Sequence, residues 1–413
     1  MTWTLRWPAR WSAWIWTVYL AVLSCLTWPL FLWHIEYFKN PGPQFHRMML
    51  GLLPLAVLLL ATYLRLRRAG SWRFEPAVIA GTLTALFLIY EPAATLANVW
   101  IFLACYGAGR RICAWLRLTV DDITGGIPLA AAAGYGLLTV ILFWLGLAGC
   151  YYSWLFAALL AAASIAFRRE ILDLPRVLRQ LHHTWSGRQE MCEPLCGIAI
   201  SFLAVFGLLT GMVALAPSII FDVLRMHLPS AQFYAAQHAL RPLPLLEYSY
   251  FPQGGEVLLT VAYAMAGQSS AQILPPVFFL LVLLLLVSVL RRCGASPPGA
   301  IAGVACAASM PFLHWSGSQA KNDLLLVLFE LAALDAYLRW RAKGDFNWIR
   351  LGAFFLALSF GVKHVAVFAA LPLGLLYLQA VWRQPRRLWS AATLAAIFLV
   401  FGTTWHVRTF LLK

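Results

Sequence analysis

The sequence has few charged residues, and this scarcity excludes most classes of soluble protein. Only 11% of the 413 residues are Asp, Glu, Lys or Arg, whereas 62% are hydrophobic. A soluble protein of this length needs far more charge to cover its surface. We therefore interpret the chain as an integral membrane protein and exclude a soluble enzyme, a secreted disulfide scaffold and a disordered tail.

Motifs for covalent and metal chemistry are also missing. The eight cysteines include no C-x-x-C pair and lie mostly in apolar runs, so we interpret them as small buried hydrophobic residues. No Ser-His-Asp or Cys-His constellation is visible. The net charge of +15 has no solvated basic domain to occupy, which argues against a nucleic-acid partner. Four histidines of the second half are too scattered for a zinc motif: His227, His238, His314 and His406.

Apolar segments long enough to cross a membrane recur along the whole chain. A spanning helix needs about 20 mostly apolar residues, and thirteen segments qualify. The first follows Arg6 and Arg10 without an obvious cleavage site, so we interpret it as a retained helix. The sequence thus predicts an all-α, polytopic fold. The segments are residues 13–33, 47–64, 76–90, 93–109, 127–147, 150–167, 196–216, 271–290, 298–315, 322–338, 348–362, 364–381 and 389–407.

The distribution of positive charge predicts the orientation of these crossings. With a cytoplasmic N-terminus and strict alternation, about three times as many Lys and Arg residues fall inside as outside. The outside set consists of Lys39, Arg47, Arg225, Arg241, Lys321, Lys363, Arg408 and Lys413. Six of these eight lie in the second half of the chain, on the same side as Asp222, Glu247, Glu256 and Asp323. These outside cations depart from the positive-inside rule and lie among acids. They therefore predict a mixed polar surface at the outer membrane boundary, suited to binding an anionic head group and to proton transfer.

The longest outside connection is residues 217–270, which prolines interrupt repeatedly. The pattern of apolar and polar residues over 224–239 predicts an amphipathic helix along the outer interface. Residues 254–266 are apolar but too short to cross, and we expect them to pack against the bundle. The side chains expected to face lipid are Leu224, Leu228, Ala231, Phe233 and Ala235.

Two charged residues in this half have both a structural and a chemical interpretation. Asp222 caps the interfacial helix or accepts a proton from an acceptor hydroxyl, and both interpretations can hold together. Lys363, with His364, interrupts two apolar runs at a predicted hairpin turn. Its ammonium snorkels to the membrane surface or neutralises a phosphate.

The other acids lie on one predicted helix. Asp323 begins this helix, where negative charge at the N-terminus is favourable. Glu330 lies on nearly the same face and about 10 Å deeper, so it should be protonated or face a polar partner. Asp335 and Arg339 are spaced as an i,i+4 ion pair near the other end.

Four short runs, taken in this order, resemble the GT-C superfamily of membrane glycosyltransferases, in particular bacterial members related to family 39 and dolichyl-phosphate-mannose mannosyltransferases. The runs are FDVLRMHLP at 221–229, YSYFPQGGE at 248–256, KND at 321–323 and GVKH at 361–364. The superfamily's shared module is similar to residues 196–413, with a first helix, the extracytoplasmic loop 217–270 and six further helices. Residues 1–195 form a six-helix block before this module, and the resemblance gives that block no role.

The resemblance implies an inverting transfer of a sugar from a polyprenyl phosphate to an acceptor hydroxyl on the extracytoplasmic face. It implies that Asp222 deprotonates the acceptor, and that Asp323 assists this acid or a divalent ion. No metal ligand is assigned, and the use of a divalent cation stays open. The resemblance assigns the donor phosphate to Lys363, His364, Arg225 and His227, and a substrate loop to Tyr250 and Glu256.

Two other classes of function stay open. A transporter or flippase for a lipid or anionic solute would place ionisable residues near the bilayer midplane, where only Glu330 is expected. A non-catalytic assembly subunit with the same fold is the other class, since superfamily members usually continue beyond the region of Trp405. The leading hypothesis is a cell-envelope glycosyltransferase of the inner membrane, with a lipid, glycan or protein as acceptor.

Overall fold

The computed structural model describes residues 87–120, 123–186, 194–243 and 246–412. This part of the chain is predominantly helical and includes no strand, so the all-α prediction is confirmed for it. The predicted crossings 13–33 and 47–64, and most of 76–90, lie outside the described residues.

Helices joined by short connections make up the described chain. In chain order they are α1 Pro92–Trp115, α2 Ile123–Leu147, α3 Ser153–Ala166, α4 Arg168–Ser186, α5 Pro194–Leu215, α6 Leu228–Gln237, α7 Gly254–Arg292, α8 Pro297–Ala308, α9 Pro311–Ser318, α10 Asp323–Lys343, α11 Asn347–Val362, α12 Val367–Trp382, α13 Arg387–Gly402 and α14 Thr404–Leu412. A π-helical turn and two 3-10 turns complete the set at Val223–His227, Glu247–Tyr250 and His364–Ala366.

In the described part of the chain, four helical stretches are long and apolar enough to cross a membrane, by length and composition. They are α1, most of α2, α7 and the stretch His364–Trp382, which joins a 3-10 turn to α12. The helices α13 and α14 meet at 46° and would form a fifth crossing as one broken span. The described chain thus has helices suited to a membrane-associated protein, whereas thirteen crossings and their orientation stay a prediction.

Proline and glycine divide the helices at points that hydropathy did not predict. The segment 298–315, predicted as one helix, is two helices because Pro311 has no N–H to donate and disfavours a helical residue before it. Met310 is accordingly extended, with φ −66° and ψ 123°. The segment 254–266 is joined to the next crossing as the first part of α7, across a kink where Gly267 has φ 75°. Only glycine adopts this backbone conformation readily.

Small residues let α1 and α2 approach with their backbones in contact. A Cβ atom on Gly109 would lie 1.7 Å from the carbonyl oxygen of Ala130. A Cβ on Gly134 would lie 1.7 Å from the carbonyl oxygen of Cys105. Close backbone approach through Gly and Ala is typical of helix packing in membranes. The long helix α7 packs against this pair and also against α6 and α10, so it is central to the described bundle.

The predicted interfacial helix exists, but its apolar face is turned differently from the prediction. The π-helical turn and α6 together cover residues 223–237. Leu228 and Ala231, predicted to face lipid, are buried because α6 packs against α7. Leu224 is exposed, as the lipid-facing interpretation requires, and Phe233 is half-buried. The element is therefore part of the bundle wall rather than a separate surface helix.

A polar step separates α11 from α12. Lys363 is extended, with φ −151° and ψ 144°, and ends α11. The hydroxyl of Tyr377 on α12 packs against Gly352 on α11, where a Cβ would lie 1.9 Å from it. Since these residues lie at similar distances before and after Lys363, the two helices run antiparallel. This agrees with the hairpin interpretation of the Lys363-His364 step.

Candidate functional site

Two consecutive glycines at the start of α7 allow three chain segments to meet. A Cβ on Gly255 would lie 2.2 Å from the Cβ of Asn322, at the start of α10. A Cβ on Gly254 would lie 2.6 Å from the carbonyl oxygen of Gly361, near the end of α11. A residue with a side chain would push these segments apart. The glycines therefore bring the charged residues of all three segments to one end of the bundle.

Three polar side chains surround one carboxylate oxygen of Glu256. Oε1 of Glu256 lies 2.6 Å from Nδ1 of His227. The same oxygen accepts hydrogen bonds from the hydroxyl of Tyr248 and from Nδ2 of Asn322, each at 2.8 Å. Nδ2 of Asn322 also donates to the hydroxyl oxygen of Tyr248 at 3.1 Å. We call His227, Tyr248, Glu256 and Asn322 the buried cluster.

An ion-pair chain of alternating sign adjoins the buried cluster. The ammonium of Lys321 lies 3.1 Å from Oδ2 of Asp222 and 3.6 Å from Oδ2 of Asp323. The other carboxylate oxygen of Asp323 accepts a hydrogen bond from the ammonium of Lys363. We call Asp222, Lys321, Asp323 and Lys363 the ion-pair chain. It is covalently continuous with the buried cluster because Asn322 lies between Lys321 and Asp323.

Exposure within the site is greatest at the Asp222 end of the ion-pair chain, whereas the Lys363 side chain at the other end is 23% exposed. The side chain of Glu256 is 0% exposed, that of Lys321 is 10%, that of Asp323 is 17% and that of Asp222 is 49%. Burying charged groups is costly unless they are paired, and here two acids face two ammonium groups. The carboxylate of Asp222 is thus half open to the surroundings while one of its oxygens is held by an ammonium.

Two acceptor atoms in the buried cluster have no hydrogen-bond partner among the described residues. They are Oε2 of Glu256 and Oδ1 of Asn322. Oδ2 of Asp323 also lacks a hydrogen bond, but its 3.6 Å ion contact with Lys321 offsets part of the cost. Buried polar atoms in folded proteins are nearly always satisfied. These atoms therefore offer acceptors for a water molecule or for a polar group of a ligand.

The phenol of Tyr248 stays protonated in this environment. Burial raises its pKa well above the usual value, and the carboxylate of Glu256 raises it further. A protonated phenol can donate its single proton to Glu256. Tyr248 therefore links the 3-10 turn that carries it to the start of α7.

The helix α14 holds the same 3-10 turn from its other side. The guanidinium of Arg408, which is buried, donates to the carbonyl oxygens of Ser249 at 3.3 Å and Leu240 at 3.5 Å. The hydroxyl of Thr409 donates to the carbonyl oxygen of Tyr250. Three backbone carbonyls of the 240–250 connection are thus fixed by one short helix.

The ion-pair chain joins the principal charged residues predicted from the sequence. Asp222 and Asp323 share the ammonium of Lys321, and Lys363 pairs with Asp323. The helix-capping interpretation is not supported, because neither Asp222 nor Asn322, which precedes α10, makes a side-chain capping hydrogen bond. Asp323 is the first helical residue of α10, where its charge is still favourable.

The remaining candidates have different surroundings. His227 and Glu256, predicted for the donor phosphate and the substrate loop, contact each other in the buried cluster. The guanidinium of Arg225 is exposed and lies 5.2 Å from the ring centroid of Phe221. His364 is exposed, with its ring 5.4 Å from that of Phe251. Tyr250 is held through its carbonyl oxygen rather than its phenol.

Sequence reasoning gave no role to Lys321, Asn322 or Tyr248. Lys321 was only a member of the outside cations, although the structure makes it the link between Asp222 and Asp323. Its position directly before Asn322 and Asp323 was the one available signal. Tyr248 and Asn322 lie within two of the quoted runs, yet nothing in the runs indicates that both contact Glu256.

No group of three or more His, Cys, Asp or Glu side chains is placed to hold a metal ion in the described part of the chain. The chain matches no family model, no curated protein and no solved structure.

Proposed function

We propose that the chain is a membrane-embedded glycosyltransferase that moves a sugar from a polyprenyl phosphate to an acceptor hydroxyl. The observation that carries this proposal is the ion-pair chain with its half-exposed Asp222 end. It combines a half-exposed carboxylate, Asp222, with two ammonium groups, Lys321 and Lys363, within one connected set of contacts. A displacement at a sugar phosphate needs an accessible base and stabilisation of the departing phosphate.

The reaction can be written with these groups alone. The acceptor hydroxyl oxygen forms a bond to the anomeric carbon while the bond from that carbon to the phosphate oxygen breaks. The hydroxyl proton passes to the carboxylate of Asp222, and the bonding electrons leave with the phosphate. The ammonium groups of Lys363 and Lys321 neutralise the phosphate as it departs. Attack on the face opposite the phosphate inverts the anomeric centre.

The contacts change the roles of several residues within this proposal. Lys321 becomes a second phosphate ligand, because it already lies 3.1 Å from Asp222. His227 and Glu256 hold the start of α7 and α10 in place rather than touching the donor. Arg225 and His364 are exposed and serve as outer contacts for a head group or acceptor. Asp323 orients both ammonium groups.

The proposal keeps the topology predicted from charge. The chain crosses the inner membrane thirteen times with its N-terminus in the cytoplasm, and the catalytic module is residues 196–413. The connection 217–270 and the ion-pair chain then belong to the extracytoplasmic side, where polyprenyl-linked sugars are used. The GT-C resemblance supports this arrangement, and the membrane-compatible helix α7 and stretch His364–Trp382 fit it.

A non-catalytic assembly subunit is the second candidate, and one observation favours it. The acids and ammonium groups of the ion-pair chain neutralise one another, as they would in a purely structural network. A transporter remains the third class, with Glu330 as its deepest acid.

The test is sugar transfer by membranes that contain the full-length protein, supplied with polyprenyl-phosphate hexoses one at a time. Asp222→Asn should lower the transfer rate by about 100-fold or more, because an amide cannot accept the proton. The matched control is Asp173→Asn on α4, whose carboxylate is 44% exposed and pairs only loosely with Arg176 at 3.6 Å. The control should transfer at the parental rate.

Expression and folding of both variants are compared by their unfolding temperatures. Equal transfer by Asp222→Asn and the parent would remove Asp222 from the chemistry. Absence of transfer with every donor in the parent would favour the assembly subunit.

A further inference from the structure

The helix α4 forms a second charged surface, far in sequence from the ion-pair chain. Leu174 is buried, Val177 packs against the core, and Ile171 lies against Gly107 of α1, so one face of α4 is turned into the bundle. Glu170 is anchored to Arg111 of α1 at 2.9 Å. One face of α4 is thereby fixed against α1, and the opposite face is directed outward.

The outward face is a basic stripe with an exposed leucine in its middle. Arg169, Leu172, Arg176 and Arg179 follow the spacing i, i+3, i+7 and i+10, which places them on one side of a helix. Leu172 is 73% exposed and the Arg176 side chain is 79% exposed. Arg168 flanks the stripe and is exposed as well. The second acid of α4, Asp173, lies 3.6 Å from Arg176 and offsets only part of the charge.

The end of α1, one turn beyond Arg111, has the composition of a membrane interface. Trp115, at the end of α1, is 71% exposed, and Arg117 follows it at the surface. Exposed tryptophan beside arginine is typical of the headgroup level of a bilayer. Arginine prefers phosphate because its fork of donors matches the phosphate oxygens. An apolar side chain among such arginines can insert between acyl chains while the guanidinium groups stay at the headgroups.

We propose that the α4 stripe binds the phosphodiester headgroups of anionic phospholipids and inserts Leu172 between their chains. The occupant is a lipid rather than a soluble anion, because the exposed leucine would gain nothing from a free phosphate. The arginines of the stripe are positively charged, so they should bind an anionic lipid more tightly than a zwitterionic one. This inference does not depend on the glycosyltransferase activity.

The experiment uses the full-length protein in nanodiscs of zwitterionic phosphatidylcholine, titrated with phosphatidylglycerol. Native mass spectrometry counts the phosphatidylglycerol molecules that stay bound. Arg169→Gln with Arg176→Gln should lower the apparent affinity by about tenfold, since each surface arginine contributes to anionic-lipid attraction. The matched control is Arg386→Gln with Arg387→Gln, which removes two exposed arginines at the start of α13, a helix with no other Lys or Arg.

The control should bind like the parent. Equal weakening in both double variants would show a general charge effect and overturn the α4 stripe. Leu172→Gln should weaken binding of long-chain phosphatidylglycerol while all arginines remain. Unchanged binding in this variant, or displacement of the lipid by millimolar inorganic phosphate, would overturn the lipid as occupant. All of these side chains are exposed, so unfolding temperatures in phosphatidylcholine should match the parent.

Discussion

Two polar clusters connect α7 with α10, one near the beginning of both helices and one near their ends. The first comprises the buried cluster and the ion-pair chain. The second, which we call the closed cluster, surrounds Asp335 on α10. Its Oδ1 accepts from the hydroxyl of Ser288 at 2.8 Å and from Arg292 at 3.1 Å. Its Oδ2 accepts from Nε of Arg339 at 2.5 Å, which confirms the predicted i,i+4 pair.

The two clusters differ in the exposure and hydrogen bonding of their carboxylates. This difference distinguishes a structural ion pair, at Asp335, from a candidate site for chemistry, at Asp222. Asp335 is 0% exposed and both of its oxygens are satisfied by donors. Arg339 also lies over the ring of Trp348, 4.9 Å from its centroid. At the other end Asp222 is half-exposed, and Glu256 keeps an oxygen without a partner in the described chain. A carboxylate whose oxygens are all satisfied can stabilise a fold but offers no acceptor to a ligand.

The largest effect should follow from breaking the closed cluster. Asp335→Ala should lower the free energy of unfolding by about 3–5 kcal/mol, because it leaves the guanidinium groups of Arg292 and Arg339 without their carboxylate. The same change at Asp222 should cost far less stability, since that carboxylate is 49% exposed and screened. Denaturant unfolding in detergent micelles measures both. If Asp335→Ala lost less unfolding free energy than Asp222→Ala, the closed cluster would not be the more structural of the two.

The next effect concerns the glycine that lets the first cluster form. Gly255→Ala should cost about 1–3 kcal/mol, because the added Cβ would lie 2.2 Å from the Cβ of Asn322 and must displace it. Gly374→Ala on α12 is the matched control, since no atom lies within 4 Å of its added Cβ. The control should be neutral or slightly stabilising, because alanine favours helix more than glycine does. Thermal unfolding of both variants checks this, and equal stabilities would contradict the close approach.

The order of charged motifs along the chain predicted which acids and lysine would gather, but not how they would pair. Alternating crossings placed Asp222, Asp323 and Lys363 on one side, and the structure connects all three. The atoms that pair depend on the rotation of α10 at its first turn. That rotation is set by the contact of Gly255 with Asn322, whose partners are distant in sequence.

Hydropathy predicted the existence of the described helices better than their breaks. It measures how apolar a segment is, and it does not register backbone conformation. The division before Pro311 and the kink at Gly267 depend on a missing N–H and on a positive φ, respectively. The burial of Leu228 against α7 depends on packing between distant segments, which a single helix pattern does not contain.

A smaller effect should come from the phenol that completes the buried cluster. Tyr248→Phe removes the hydroxyl that donates to Glu256 and accepts from Asn322, and should cost about 1–2 kcal/mol at pH 7. Tyr250→Phe is the control, because the contact of Tyr250 with Thr409 uses its backbone carbonyl.

The raised pKa of Tyr248 also predicts how the free energy of unfolding depends on pH. The folded protein raises the pKa of Tyr248, so its contribution is fully present below the ordinary phenol pKa of about 10. Above that pH the unfolded chain ionises first, and the contribution is progressively lost. The free energy of unfolding should therefore fall more steeply above pH 10 in the parent than in Tyr248→Phe. Parallel curves would show that the phenol is not held protonated in the folded state.

The smallest effect tests whether α14 supports the first cluster from outside. The hydroxyl of Thr409 has one proton, which the carbonyl oxygens of Tyr250 and Trp405 share, so Thr409→Val removes at most one hydrogen bond. We expect a loss of about 0.5–1.5 kcal/mol in unfolding free energy. Thr393→Val is the control, because its exposed hydroxyl bonds only to Trp389 within its own helix.

Hydrogen exchange of the 247–250 turn distinguishes the two ways in which Thr409 could stabilise the fold. Faster exchange in Thr409→Val, but not in Thr393→Val, would mean that α14 fixes the turn that carries Tyr248. Residues 288–292 should exchange as in the parent, because the closed cluster has no contact with this turn. Equal acceleration at both ends of α7 would instead mean that the bundle loosens as one unit. The two clusters would then differ in accessibility but share a single cooperative scaffold.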